Sequence, residues 1–210
     1  MYDALALLFD GTARMKLLRF FCFNPEEEFT VDEIARRARL VRRTARTELS
    51  VLERAGVIKK KTISVAQEGK KAKIKELVFF CDKEFPFLLP MHRFLTETAP
   101  IGGETVLNHL KKAGKFDVVV TAGIFVREPE QTVDLLLAAK GANLQKVEVA
   151  IRSIEADIGT SIRFILLETE DLQYRLGMYD KHTRDIFDYP HNVLTDKIGL
   201  TNELSKPWIM

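Results

Sequence analysis

Between residues 30 and 80 the chain sets two short helical patterns about four residues apart, then at once two β-branched runs around a polar, glycine-containing turn. Few folds satisfy that order in so short a span. Thr30-Val31-Asp32-Glu33 opens the first helix as a capping box, the threonine hydroxyl taking a free amide while Glu33 reaches back three residues. This helix is expected to end at Ala38. After a break near Arg39-Leu40, a second helix is expected over residues 42–54, with Ala45, Leu49 and Leu52 facing inward and Ala55-Gly56 closing it. Residues 57–65 and 73–80 read as the strands of a hairpin, with residues 66–71 as its turn. Upstream, Met15, Leu17, Leu18, Phe20, Phe21 and Phe23 give residues 13–23 a broad apolar helical face, which Asn24-Pro25 ends.

The same segment is strongly basic. Residues 36–75 hold 14 Lys and Arg against three Glu, in a chain whose totals are 32 basic and 30 acidic. Residues 1–80 carry 17 basic and 11 acidic side chains, leaving an acidic second half. Such density on folded structure is what releases counterions from a phosphate backbone. Two helices at a sharp turn followed by a hairpin make a winged helix-turn-helix, whose second helix enters the major groove. Ile34-Ala35, Leu40, Leu49, Leu52 and Ala55-Gly56-Val57-Ile58 resemble the ArsR-like winged-helix transcriptional regulators over about residues 10–82. Two positions depart from that pattern, Arg39 standing for its usual Gly and Val41 for its capping Ser. The resemblance implies double-stranded DNA as partner and a homodimer on a palindromic site. Its recognition helix offers Arg42, Arg43, Thr44, Arg46 and Thr47, and its wing offers Lys70, Lys71 and Lys73 to phosphate. Arginine can grip guanine bidentately and threonine can meet a thymine methyl; the sequence leaves open which side chains read bases and which hold phosphate.

An apolar stretch broken by Pro86 and Pro90 then leads to Gly102-Gly103, and the pattern changes to α/β alternation. A helix to about residue 113, strands over 116–121 and 132–138, a helix over 143–158 and a strand over 162–167 are expected, followed by helices from Thr169 and over 182–187 and a strand over 191–195. The fold class expected is α+β: a winged helix-turn-helix domain (1–84), a linker helix (85–102), an α/β domain with a small mixed sheet (103–204), and a tail (205–210). This second domain resembles the minimal nucleotidyltransferase domain of the polymerase-beta-like superfamily. There a Gly-Ser pair holds nucleotide phosphates, and an Asp-x-Asp plus a later carboxylate hold two metal ions. Here Gly123 is kept while Ile124 takes the Ser position, and Asp134 is kept while Thr132 and Arg163 take the places of the other carboxylates. One carboxylate cannot hold two metals, so the resemblance implies a degenerate domain with no catalytic residues, in which Gly123 and Asp134 are what remains of a nucleotide site. The plain structural role for Asp134 is a strand-end carboxylate that pairs with Arg127 or caps a backbone amide.

No apolar run approaches the ~18 residues that cross a bilayer. Asp3 and Asp10 flank the first apolar stretch where a secretory signal would carry basic residues, so a cytoplasmic protein is expected. Cys22 and Cys81 lie far apart in apolar surroundings and read as buried free thiols. The four histidines lack metal-site spacing, so neither metal nor cofactor is expected. The leading expectation is a sequence-specific DNA-binding transcriptional regulator, not an enzyme, whose acidic second domain dimerises or senses a small-molecule or nucleotide effector. The alternatives are an active nucleotidyltransferase modifying protein or RNA under winged-helix autoregulation, and an RNA or protein adaptor.

Overall fold

Helix α2 (Thr12–Phe23) buries Met15, Leu17, Leu18, Phe20, Phe21 and Cys22, nearly its whole circumference, and the first core forms around it. The computed structural model describes residues 4–66, 73–97, 101–178 and 180–200. It is a mixed α+β chain with two small sheets and, among the described residues, nine α-helices. It divides into two compact units.

Unit 1 holds the described residues up to Glu97 together with Glu155–Ser161. After α1 (Ala4–Leu8) and α2 come β1 (Glu28–Thr30), α3 (Val31–Arg37), α4 (Arg42–Arg54), β2 (Ile58–Ala66), β3 (Lys73–Cys81) and α5 (Leu88–Glu97). The strands form an antiparallel sheet in the order β1-β3-β2, with Ile58 opposite Cys81 and Val65 opposite Ile74. Phe21 meets Phe20 and Phe29 edge-on and Phe20 meets Phe29 at a tilt, with Ile34, Leu49, Leu52 and Phe79 in the same core.

Local chemistry sets the helix ends. At the start of α3 the Glu33 amide donates to Thr30 Oγ1 at 3.3 Å and the Thr30 amide donates to Glu33 Oε2 at 2.8 Å, so the expected capping box is present. The helix closes in a Schellman motif, with the Leu40 amide donating to the Ala35 carbonyl at 2.9 Å and the Arg39 amide to that of Arg36 at 3.3 Å. The residue that must turn left-handed is Arg39, at φ +52°. Helix α4 ends the same way through the Val57 and Gly56 amides, with Gly56 at φ +78°.

Unit 2 holds α6 (Gly103–Leu110), β4 (Val118–Thr121), the 3₁₀ turn Gly123–Val126, β5 (Leu135–Ala138), α7 (Leu144–Ile158) as far as Ile154, β6 (Phe164–Leu167), α8 (Thr169–Gly177), α9 (Lys181–Asp188) and β7 (Asn192–Asp196). Its sheet runs β6-β5-β4-β7, parallel between β5 and β6 and antiparallel elsewhere. Strands β4 and β5 are buried at every position, which explains their unbroken apolar runs.

The sequence assigns residues 103–204 to one domain, whereas Glu155–Ser161, spanning the end of α7 and the residues after it, belongs with unit 1. Asn24 Nδ2 donates to the Phe20 and Gly159 carbonyls at 2.6 and 2.8 Å, and Lys16 pairs with Asp157 at 2.8 Å. Gly159 passes so near α2 that a Cβ would lie 2.6 Å from the Arg19 carbonyl carbon, closer than any side chain allows. Among the described residues, no helix is long and apolar enough to cross a membrane.

Candidate functional site

Helix α4 is two-sided. Ala45, Leu49 and Leu52 are buried, while Arg42, Arg43, Thr44, Arg46, Thr47 and Ser50 are exposed. The sequence therefore places all five of its recognition-helix candidates on the solvent side. They are not equivalent. Arg42 Nε pairs with Asp32 Oδ1 of α3 at 2.9 Å, and Thr47 donates its hydroxyl to the Arg43 carbonyl at 3.2 Å. No described residue bonds the guanidinium groups of Arg43 and Arg46 or that of Arg36 on α3. Arg36 was not singled out by sequence, although its place three residues before the helix break could have drawn attention to it.

Three lysines of the hairpin's first strand are paired with acids within unit 1. Lys59 bonds Asp82 at 2.9 Å, Lys60 bonds Glu53 at 2.9 Å and Lys61 bonds Glu28 at 2.6 Å. The hydrogen bond that Lys59 donates to Asp82 holds the Lys59 ammonium above its usual range and, reciprocally, holds the Asp82 carboxyl below its own. Charge density along the sequence thus overstates the charge offered to a partner. Lys70 and Lys71 lie outside the described residues, and Lys73 opens β3.

In unit 2, Gly123 and Asp134 are brought together, and both are engaged internally. Asp134 is 1% exposed and accepts four hydrogen bonds: from the Ile124 amide at 3.0 Å, the Arg163 amide at 2.8 Å, Arg163 Nε at 3.0 Å and Arg163 Nη2 at 2.9 Å. The partner is Arg163 and not Arg127, which sits left-handed at φ +68° after the 3₁₀ turn. Arg127 is near in sequence, but β6 lies parallel beside β5 and delivers Arg163 to the end of Asp134's strand. The carboxylate raises the Arg163 pKa, chiefly through the direct hydrogen bonds. Arg163 also donates to the Pro129 carbonyl at 2.9 Å.

The turn amides that would cradle a phosphate are taken as well. The Gly123 amide donates to Gln131 Oε1 at 2.6 Å, and Gln131 Nε2 donates onward to the Pro190 carbonyl at 3.1 Å. Gly123 has φ +52°, and a Cβ there would overlap Asp134 Oδ1, so glycine is needed for the carboxylate's own close approach. Gln131 also lines a concavity of about 340 Å³ that presents Glu128, Glu130 and Asp185 against Val133, Ile186 and Tyr189. Three carboxylates there repel an anion. Among the described residues, no group of three or more His, Cys, Asp or Glu is placed to hold a metal ion.

No protein-family model matches the sequence, no curated protein matches it, and no solved structure matches the chain.

Proposed function

We propose that the chain is a sequence-specific DNA-binding transcriptional regulator, with unit 1 as a winged helix-turn-helix and unit 2 as a non-catalytic, nucleotidyltransferase-like module for effector sensing or dimerisation. One observation carries the reading: α4 exposes Arg43 and Arg46, unbonded by any described residue, on the side opposite its buried Ala45, Leu49 and Leu52. The order α2, β1, α3, α4, β2, β3, with β3 between β1 and β2, supports the winged arrangement. An α-helix fits the major groove, and unneutralised arginines on its outer side can reach guanine edges or phosphate oxygens. Two such units on a palindrome make the homodimer the natural assembly.

The catalytic alternative would require Asp134 to leave Arg163 and the turn amides to leave Gln131 and Asp134. Nothing in the arrangement favours it over the regulator. Purified protein is titrated into labelled duplex from upstream of its own coding region, against excess random duplex and at several salt concentrations. Binding should survive the competitor. Arg43→Ala and Arg46→Ala should each weaken it by about 1–3 kcal/mol if the side chain reads a base, or lower the salt slope by about one if it holds phosphate. Lys60→Ala and Lys61→Ala should change affinity less, because each lysine is already paired. Competitor-abolished binding that ignores both arginine variants refutes the regulator, and preference for duplex RNA at equal salt supports the adaptor instead.

A further inference from the structure

Helix α4 begins on a side chain that stability does not explain. Val41 occupies its N-cap, where Ser, Thr, Asp or Asn would bond a free first-turn amide, and no side-chain hydrogen bond caps this helix. The valine is also 72% exposed, beside the exposed Arg42 and Arg43. The chain thus forgoes a cap and leaves an apolar group in water at the leading end of its most basic helix. Thr44 is exposed one turn on. Thr47 follows, its hydroxyl proton engaged by the Arg43 carbonyl at 3.2 Å, which leaves its methyl and an acceptor oxygen. Methyl-bearing side chains therefore accompany Arg43 and Arg46 on the solvent side of α4.

Arginine and methyl groups address different features of a base pair. Guanidinium groups seek acceptors such as guanine O6 and N7, whereas the apolar feature of the major groove is the thymine C5-methyl. Burial against that methyl would remove from water the surface Val41 now exposes, a gain no polar cap provides. We infer that Val41 is a specificity-determining residue that recognises a thymine methyl. The assignment rests on the DNA-binding reading above and says what kind of operator the helix selects: one with thymine adjoining the bases or phosphates that Arg43 contacts.

The test uses the full chain. A duplex is selected from a random pool in the presence of competitor, then resynthesised with deoxyuridine replacing each thymidine in turn, which removes the methyl and keeps every Watson–Crick contact. At one thymine per half-site, affinity of the unmodified protein should fall about three- to fivefold, the value of burying one methyl-sized group. V41A should bind the thymidine and deoxyuridine duplexes equally. V41S should melt higher than the unmodified protein, since it restores the cap, and should be equally blind to the methyl. That combination excludes misfolding as the cause. Selected duplexes without thymine, indifference at every thymine, or discrimination that persists in V41A overturns the inference while competitor-resistant binding keeps the regulator intact. Absence of competitor-resistant binding to any duplex, unchanged by R43A and R46A, overturns both.

Discussion

Arg39 holds a backbone conformation that arginine does not favour. The Schellman closure of α3 demands a left-handed residue, and at φ +52° a Cβ crowds the following carbonyl. Arg39→Gly removes that crowding at a modest entropic cost in the unfolded chain, so it should stabilise unit 1 by up to about 1 kcal/mol, read as a raised urea midpoint. Gly56→Ala, at the same motif position after α4, should do the opposite. Asp134 presents a different balance. Its buried carboxylate takes two of its four hydrogen bonds from the half-exposed Arg163 guanidinium and keeps the two backbone amides without it, so removing that guanidinium costs about 1–3 kcal/mol. Arg163→Met should therefore lower the denaturation midpoint more than Arg152→Met, whose exposed pairing with Glu148 is worth about 0–1 kcal/mol. Equal losses in the two variants would show that the Arg163 guanidinium contributes no more to Asp134 than a surface ion pair does.

At the scale of elements, the pairing of α2 with β3 places Cys22 and Cys81 in one core. Burial pushes the Cys22 thiol up to about 12, with Cys81 adding to it, and burial with the nearby Asp82 pushes Cys81 up to about 11. Unfolded thiols ionise near 9.0. Below that pH both states hold the protons; above it the unfolded chain loses them first, so stability falls between pH 9 and about 11, by up to about 1.4 kcal/mol per unit for each thiol. Urea midpoints at pH 7.5, 9 and 10 should show that decline, and Cys22→Ala with Cys81→Ala should flatten it. Elements were legible in the sequence wherever short-range chemistry sets them: Thr30 and Glu33 start α3, Gly56 ends α4, and both are read within a few residues. Helix α1 was not legible, being five residues long with only Ala6 buried. Nor could adjacency along the chain reveal the Asp134–Arg163 pair or the ion pairs of Lys59, Lys60 and Lys61, because strand register and tertiary packing create them. The exposed arginines of α4 were legible for the opposite reason, since helical period alone sends Ala45, Leu49 and Leu52 inward and them outward.

For the whole molecule, the notable fact is that unit 1 is discontinuous along the chain. Asn24 and Lys16 find partners on residues 157–159, so a fragment ending at residue 98 lacks both. Its unfolding free energy should be lower than that of unit 1 in the full chain by about 1–2 kcal/mol, since it loses one of the two bonds of the Asn24 amide and the Lys16 ion pair. Chemical denaturation of the fragment beside an Asn24→Ala version checks this, because the alanine variant should narrow the gap. The same discontinuity sets a clock on biosynthesis. At ~5–20 residues per second, the ribosome needs roughly 3 to 13 seconds to add the stretch from residue 98 to residue 161. Throughout that interval the nascent first unit waits without the Asn24–Gly159 bond and with the surface of α2 beside Arg19 and Phe20 uncovered. Chains stalled at residue 150 should then be cut by protease near α2 more readily than chains stalled at residue 200, because the unit that begins first is completed only by residues from the second half of the chain.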